Sequence, residues 1–469
     1  MKDSGVPWLG AVPAHWELLP ALAVYKPRQV KNIGMVEKTV LSLSYGRIVF
    51  KPEEKLRGLV PESFETYQVV EPSNIIVRTT DLQNDRRSLR IGHAKDRGII
   101  TSAYLCLETT SKVENEFGDQ YLNAYDLLKI IYGYGSGLRQ NLDFQDIKRM
   151  PVLVPPKDEQ AAIVRFLDHA DRRIRKAILG KQKLIKLLEE QKQAIIHRAV
   201  TRGLDPNVRL RPSGVEWLGD LPEHWETLPV RRLVSFVTSG SRGWANYYTD
   251  SGYIFLQSGN LGRSMSLNLA KIQHVSPPSG AEGERTRVQR NDVLVCITGA
   301  LTGNVALVEI DFPMPAFINQ HVALLRPRDQ LMLPRFLALA LHSEIGKSQF
   351  KTNEYGGTKQ GLGLNDVKSV FVPIPPTDEQ ALICKALEEE TKIVVSTVAK
   401  AEEEIALLRE YRTRLVSDVV IGKLDVREAA SRLPDEIEPI DAALDDDGLT
   451  EGDEIEGEAA EVDSEDQAA

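Results

Sequence analysis

GVPWLGAVPAHWE, the stretch from Gly5 to Glu17, occurs again in this chain as GVEWLGDLPEHWE, from Gly214 to Glu226. Nine of the thirteen positions are identical, among them both tryptophans and the closing His-Trp-Glu. The two copies lie 209 residues apart, from Gly5 to Gly214. A repeat of that period indicates a duplicated domain, because the repeats of solenoids and propellers are only about 20–50 residues long.

A second duplicated segment lies near the end of each half. NLDFQDIKRMPVLVPPKDEQ ends at Gln160 and parallels GLGLNDVKSVFVPIPPTDEQ, which ends at Gln380, an offset of 220 residues. The interiors between these motifs, 30–133 and 239–355, show no convincing similarity to each other. A shared frame around two unlike interiors indicates one task performed twice on two different targets.

Each frame ends in a long segment that we predict to be a helix. Apolar residues follow one another at steps of three and four, as in Ile163, Leu167 and Ile174. Residues 157–200 contain eleven Lys or Arg against six Asp or Glu, whereas residues 377–422 contain six against ten. Opposite charge favours pairing of the two helices with each other. We therefore expect an antiparallel coiled coil in a chain with a pseudo-twofold internal repeat.

The expected fold class is a pair of α/β domains that alternate with these two long helices. The runs RNDVLVCITG, NVALVEI, SNIIVRTT and GYIFLQSG predict strands. YLNAYDLLKIIYG and PRFLALALHSEIG each predict one short helix. The expected organisation is an α/β domain over 1–155, a helix over 156–203, a linker over 204–213, an α/β domain over 214–375, a helix over 376–425 and a tail over 434–469.

The net charge of −9 conceals two regions of opposite sign. Residues 434–469 hold sixteen Asp or Glu and no Lys or Arg, so we expect a disordered acidic tail. Without that tail the chain has 58 basic against 51 acidic residues, which is compatible with a polyanionic partner. The tail serves solubility or competes with nucleic acid for the basic surface, and both interpretations stay open.

The sequence also argues against several classes of protein. It has no apolar run of transmembrane length and no secretory leader, and its three cysteines are far apart, so we expect a cytoplasmic protein without disulfides or a zinc ribbon. Nucleotide-binding, zinc-protease and serine-hydrolase motifs are missing, and we expect no catalytic residue and no metal site. His15 and His224 belong to the repeated frame and are expected to be structural.

Hydrogen-bonding side chains in loops and at strand ends are candidates for contacts with DNA. Arg suits guanine, and Asn or Gln suits adenine. Residues shared by both halves, such as Arg139 and Lys359, suit phosphate contacts better than base reading. The alternative, that these residues are structural turn and strand-end residues, stays open. The candidates are Arg47, Arg78, Thr80, Gln83, Asn84, Arg86, Arg87, Arg90, Arg139, Gln140, Arg242, Trp244, Gln257, Asn260, Arg263, Thr298, Asn304, Asn319, Gln320, Lys359 and Gln360.

The doubled set of motifs resembles the specificity subunit of type I restriction-modification enzymes. The resemblance covers about residues 5–427 and depends on the order of W-L-G-x-x-P-x-H-W-E, V-x-x-P-P-x-x-E-Q and a Leu-Asp exit, each present twice. It implies two target-recognition domains that read an asymmetric bipartite DNA site, with the helices setting the spacing. The partners that the resemblance implies are double-stranded DNA, two modification (methyltransferase) subunits and restriction/translocase subunits, and no membrane.

The resemblance further implies that this chain has no catalysis and no cofactor of its own. S-adenosylmethionine, ATP and magnesium are expected in the partner subunits. Two other readings of the residues remain: a coiled-coil scaffold whose globular domains bind proteins, and an enzyme with an unrecognised nuclease site.

Overall fold

Both long helices are divided between two structural units. The computed structural model describes residues 1–44, 46–52, 63–80, 82, 89–134, 141–262, 264–277, 280–354 and 361–434. Within these ranges the first unit comprises residues 1–181 and 402–434, and the second comprises residues 182–401. The expected acidic tail, apart from Pro434, lies outside the described residues.

The first unit consists of short strands and helices followed by parts of the two long helices. Its elements up to the first long helix are β1 (Lys2–Asp3), β2 (Ala11–Val12), β3 (Glu17–Pro20), α1 (Ala21–Val24), β4 (Tyr25–Arg28), β5 (Leu41–Ser44), β6 (Arg47–Phe50), β7 (Gln68–Val70), β8 (Ile75–Val77), β9 (Ile91–His93), β10 (Gly98–Ile100), β11 (Leu105–Thr109), α2 (Asn115–Leu127), α3 (Phe144–Ile147), β12 (Pro151–Val154) and α4 (Lys157–Arg202).

The second unit repeats this sequence of elements with additions. It contains β13 (Leu210–Pro212), β14 (Asp220–Pro222), β15 (Glu226–Pro229), α5 (Val230–Leu233), β16 (Val234–Ser239), β17 (Tyr248–Thr249), β18 (Tyr253–Leu256), β19 (Gln273–Val275), α6 (Ala281–Thr286), β20 (Val293–Cys296), β21 (Val305–Leu307), β22 (Ala316–Ile318), β23 (Val322–Pro327), α7 (Pro334–His342), α8 (Glu344–Asn353), α9 (Leu364–Ser369), β24 (Phe371–Ile374) and α10 (Thr377–Val420). The last described helix, α11 (Arg427–Ser431), returns to the first unit.

The two unlike interiors contain the same antiparallel sheet. Its strand order is β4-β11-β8-β9 in the first unit and β16-β23-β20-β21 in the second. The pairing begins at equivalent positions, with Thr109 opposite Tyr25 and Pro327 opposite Val234. Strand pairing uses backbone groups, so two sequences without similarity can build one sheet. The additions differ: the first unit has the separate pairs β5-β6 and β7-β10, and the second has a sheet ordered β17-β19-β18-β22.

The predicted strands and the mixed α/β class are confirmed, with two corrections among the helices. The run from Tyr121 to Gly133 is not one helix, because α2 ends at Leu127 and a 3₁₀ turn over Ile130–Gly133 follows a left-handed Lys129. The strands expected in the four quoted runs are β20, β21, β8 and β18. The run from Pro334 to Gly346 forms two helices instead of one, because Ser343 has an extended backbone and ends α7. Its hydroxyl then accepts a hydrogen bond from the amide of Ile345 and caps α8. Part of the expected linker over 204–213 is also a strand, since β13 pairs with β14.

The repeated His-Trp-Glu segments bind the first turn of a long helix. In the first unit, His15 Nε2 lies 2.7 Å from a carboxylate oxygen of Glu159, and Trp16 Nε1 donates to the other oxygen at 2.8 Å. In the second unit, His224 and Trp225 also contact the corresponding glutamate, Glu379, but both meet the same carboxylate oxygen, at 2.9 and 3.1 Å. The structural role expected for the two histidines agrees with these contacts.

The glutamine that follows each of these glutamates connects the helix start to the α/β domain. Gln160 is buried and donates to the carbonyl of Pro155 at 2.8 Å, while its own oxygen accepts from the amide of Glu114 at 2.8 Å. Gln380 donates to Pro375 at 2.9 Å and accepts from Leu333 at 2.8 Å. The duplicated Glu-Gln pair is therefore a structural junction in both units.

In the first unit the beginning of α4 packs against the end of α10 in antiparallel orientation. Ile163 and Leu167 share a core with Val419 and Val420. Arg412 Nε lies 2.5 Å from Asp171, and Lys181 pairs with Glu404, so positions that increase along α4 meet positions that decrease along α10. This is the expected pairing of the basic helix with the acidic one.

The second unit contains the complementary halves of the helices. Ile196 and Val200 of α4 share a core with Ile383 and Leu387 of α10, and Arg198 lies 3.6 Å from Glu390. The apolar stripes, which we expect from the sequence to include Leu184 and Tyr411, are less continuous than predicted. Leu184 is 44% exposed and Tyr411, in the first unit, is 55% exposed. The described part of the chain contains no helix long and apolar enough to cross a bilayer.

Candidate nucleic-acid interface

The candidate interface lies where corresponding strands of the two sheets end. In the first unit, the carbonyl of Thr79, just after β8, accepts a hydrogen bond from the amide of Leu142 at 2.8 Å. In the second unit, the carbonyl of Ile297, just after β20, accepts from the amide of Leu362 at 2.8 Å. Leu142 and Leu362 belong to the duplicated frame. The frame therefore fixes the same sheet end in both units, and the residues around it differ.

Arg78 and Thr80 flank this junction in the first unit. Both side chains are half-buried, and so is that of Arg47, at the start of β6. The amide of Arg78 donates to the carbonyl of Arg90 at 2.8 Å, which continues the pairing of β8 with β9 beyond the strand ends. Arg78 and Thr80 thus occupy a backbone that hydrogen bonds hold in place.

Arg90 faces the interior of the first unit. Its side chain is fully buried, and its guanidinium donates to the carbonyl of Thr80 at 2.7 Å and to the hydroxyl of Tyr132 at 3.0 Å. Its amide donates to Asp126 at 2.5 Å. Burial raises the pKa of Asp126, although the adjacent Arg90 amide and Lys129 oppose that shift. Arg90 has no exposed surface to present to DNA, so we remove it from the candidate contacts.

Nine of the candidates lie outside the residues that the structure describes. They are Gln83, Asn84, Arg86, Arg87, Arg139, Gln140, Arg263, Lys359 and Gln360. The two matched segments expected to contact phosphates, which include Arg139 and Lys359, directly precede Asn141 and Gly361 in the chain.

Two candidates of the second unit serve its interior. Trp244 is 3% exposed and stacks on Phe255, with ring centroids 5.7 Å apart, so it is a core residue. Asn260 is 6% exposed and donates to the carbonyls of Asn268 and Lys271, both at 2.9 Å. The contacts of these two residues are therefore those expected of structural residues and not of DNA-binding ones.

Arg242 and Gln257 are more accessible. Arg242 is exposed in the segment after β16. Gln257 is half-buried at the end of β18, and its side-chain amide donates to the hydroxyl of Tyr248 at 3.1 Å. Their positions leave both able to meet a ligand at the surface of the second unit.

The remaining candidates gather around the junction at Ile297. Thr298 and Gln320 are half-buried, and Asn304 donates to the carbonyl of Leu261 at 3.3 Å. Asn319 is 4% exposed, and its side-chain oxygen accepts from the amide of His321 at 3.1 Å. The fold therefore brings Thr298 together with Asn319 and Gln320, although it lies in a different segment of the sequence.

Sequence reasoning missed His321, which belongs to this cluster, and also Arg285 of the second unit. His321 contacts Thr298 through Nδ1 and Gln320 through Nε2. Arg285 contacts the hydroxyl of Thr238 and donates to the carbonyl of Ser239 at 2.7 Å. The only signal for His321 was its place directly after Asn319 and Gln320, and for Arg285 there was none. Among the described residues, no group of metal-binding side chains could hold an ion.

Comparison with known proteins agrees with the resemblance found in the sequence. A family model for the type I restriction modification DNA specificity domain matches residues 279–406. The specificity subunit of the type I restriction enzyme MjaVIII of Methanocaldococcus jannaschii is 20% identical over 339 residues, which are 71% of this chain and 75% of that relative. The EcoBI specificity subunit of Escherichia coli is 22% identical over 306 residues, covering 62% of this chain and 64% of the relative.

One solved structure shares the fold. It concerns the complex assembly and conformational transition of a type I R-M system, and the likeness covers 88% of this chain and 100% of the other, with a TM-score of 0.60 and 17% identity. The matched domain, the named relatives and the doubled frame all indicate one family. In this matched domain and in its named relatives, the chain is similar to the specificity subunits of type I restriction-modification enzymes.

Proposed function

We propose that each unit reads one half of an asymmetric bipartite DNA site. The observation that carries this proposal is the sheet shared by the two units: the frame holds the same sheet end in both, and different side chains surround it. Arg78 and Thr80 occupy this position in the first unit, and Thr298 and Gln320 occupy it in the second. Different hydrogen-bonding groups on equivalent scaffolds select different bases.

The long helices are the proposed docking surface for two methyltransferase subunits. Exposed apolar side chains on these helices support this assignment: Leu187 is 54% exposed, Leu382 is 60% exposed and Ile393 is 75% exposed. Exposed apolar side chains suit a protein interface where they form one contiguous patch. Restriction subunits join the same assembly in this proposal.

Catalysis belongs to the partners. Specificity subunits are the non-catalytic components of type I enzymes, and we assign S-adenosylmethionine, ATP and magnesium to the modification and restriction subunits. The contribution of this chain is to place those subunits on a chosen DNA sequence. The distance between the half-sites then follows from protein geometry, as it does for other two-part DNA readers.

Methylome sequencing tests the proposal. DNA from the source cell is sequenced with the gene intact and deleted, and we expect one split, asymmetric methylated motif to disappear on deletion. Replacing residues 30–135 by those of another specificity subunit should change one half of the motif and leave the other half intact. An unchanged motif after this replacement, in an assembled and methylating enzyme, would contradict it.

A further inference from the structure

The turn between β22 and β23, Asn319 to His321, is held from several sides. The amide of Asn319 donates to the carbonyl of Leu256 at 3.0 Å, and the carbonyl of His321 accepts from the amide of Ile297 at 2.9 Å. Gly240 packs so closely that a methyl group there would lie 2.1 Å from the carbonyl oxygen of Asn319. The backbone of this turn is therefore fixed before any ligand arrives.

His321 connects this turn to the end of β20. Its Nδ1 contacts the hydroxyl of Thr298, and its Nε2 lies 3.0 Å from the amide nitrogen of Gln320. When Nδ1 carries the proton and donates to Thr298, the lone pair of Nε2 accepts from Gln320. The imidazole then restricts the rotation of the Gln320 carboxamide.

The carboxamide of Gln320 keeps one edge for a ligand. Its oxygen accepts no hydrogen bond from any residue that the structure describes, and only one of its two amide hydrogens is used by His321. When the hydrogen trans to the oxygen is the one that bonds to His321, the oxygen and the remaining hydrogen lie side by side on this half-buried side chain. This is the donor and acceptor pair that recognises adenine in the major groove, where the oxygen accepts from N6 and the amide donates to N7.

We propose that Gln320 reads an adenine in the half-site of the second unit, and that His321 and Thr298 are positioning residues that hold its carboxamide. This inference rests on the proposed reading of DNA by that unit. A carboxamide restrained before binding loses less rotational freedom on contact, which favours both affinity and selectivity.

The corresponding turn of the first unit is held by different residues. This difference supports a role of Gln320, His321 and Thr298 in selectivity and not in the frame that the two units share. It connects β10 to β11, and the carbonyls of Thr101 and Tyr104 there accept hydrogen bonds from Gln68, at 3.0 and 2.7 Å. A buried glutamine thus uses its amide to fix the turn from inside. The arrangement of Gln320, His321 and Thr298 belongs to the second unit and suits a base that only this unit reads.

The test uses the assembled enzyme with its partner subunits and a duplex that carries the methylated motif. Each adenine in the half-site of the second unit is replaced in turn by 7-deazaadenine, which lacks the N7 acceptor. At one position we expect the wild-type enzyme to bind roughly 5- to 30-fold more weakly, the effect of losing one base contact. The Gln320→Ala and Gln320→Glu variants should bind both duplexes equally at that position.

His321→Ala should lower the discrimination between adenine and 7-deazaadenine at the same position while the unfolding midpoint stays near that of the wild type. Gln289→Ala is the matched control, because Gln289 is exposed near the opposite end of β20 and should leave discrimination unchanged. If the Gln320 variants keep the wild-type sensitivity at every adenine, the inference is wrong and the proposed function stands. If the enzyme prefers no DNA sequence at all, the proposed function itself fails.

Discussion

Trp16 donates its indole hydrogen to Glu159 at 2.8 Å, although the two residues lie 143 positions apart in the chain. Trp225 makes the same bond to Glu379 at 3.1 Å across 154 positions. Each bond joins the first motif of a frame to the first turn of the long helix that closes it. The two motifs that define the repeat are thus partners in space.

Replacing Glu159 should destabilise the first unit. Glu159→Ala leaves the buried indole N–H of Trp16 without an acceptor and removes the partner of His15, and we expect a loss of about 2–3 kcal/mol in the free energy of unfolding. Chemical denaturation followed by tryptophan fluorescence measures it. Glu190→Ala, on the exposed side of the same helix, should change stability by less than about 0.5 kcal/mol. Equal effects of the two substitutions would contradict the assigned role of Glu159.

The glycines that follow the long helices should tolerate alanine to different degrees. Gly422 and Gly203 have positive φ values of +75° and +71°, so both substitutions introduce backbone strain. A methyl group on Gly422 would also lie 2.6 Å from Pro13 and 2.9 Å from Trp16, whereas on Gly203 the nearest atom is at 3.1 Å. We expect Gly422→Ala to cost about 1–3 kcal/mol more than Gly203→Ala.

At Gly180 we expect alanine to change the free energy of unfolding in the opposite direction. Thermal or chemical unfolding measures the effect of all three glycine substitutions. Gly180 lies inside α4, and a methyl group there meets nothing within 4 Å. Gly180→Ala should therefore stabilise the protein by about 0.5–1 kcal/mol through helix propensity. Destabilisation by this substitution would show that the middle of α4 is not a regular helix.

Arg90→Ala should impair folding before it impairs any contact with DNA. Removing the buried guanidinium leaves the carbonyl of Thr80 and the hydroxyl of Tyr132 without a donor, and we expect a loss of about 2–4 kcal/mol. The unfolding midpoint measures this effect. Arg149→Ala, at an exposed arginine of the same unit, is the control and should have little effect. A normal midpoint for Arg90→Ala with weakened DNA binding would restore Arg90 as a DNA contact.

Asp119 makes the stability of the first unit depend on pH. Burial, and then the charge of Asp168, raise its pKa to about 7, and one of its carboxyl oxygens is buried without a hydrogen-bond partner among the described residues. Because the pKa is higher in the folded than in the unfolded chain, the contribution of Asp119 to stability is greatest at low pH and falls as the pH rises towards 7. Asp119→Asn should raise the unfolding midpoint by roughly 2–8 °C at pH 8 and by much less near pH 4. An equal gain at both pH values would exclude titration of Asp119 as the cause.

Deletion of residues 434–469 tests the influence of the acidic segment. Its sixteen carboxylates repel a polyanion, so the shortened chain should bind nonspecific DNA more tightly at low salt. Titration of fluorescent DNA at about 50 mM salt measures this change. The same affinity with and without the segment would favour a role in solubility.

Much of the architecture was predictable from local patterns. The steps of three and four among Ile163, Leu167 and Ile174 predicted a helix over 156–203, and α4 spans Lys157–Arg202. Charge and apolar spacing also predicted the antiparallel pairing of α4 with α10. Helix formation depends on residues close together in the chain, and the pairing of the helices depends on side-chain types repeated along each helix. Both patterns are visible in the sequence.

Only the tertiary structure decided how distant segments meet. The common sheet of the two interiors is held by backbone hydrogen bonds, which any residue can make, so unlike sequences concealed it. Arg90 looked like an exposed base reader among other arginines, and the fold buries it against Thr80 and Tyr132. His321 gained its importance from Thr298, which the sheet brings beside it. The sequence by itself determined the duplicated frame, the helices and the family resemblance, whereas the roles of single polar side chains depended on neighbours that only folding supplies.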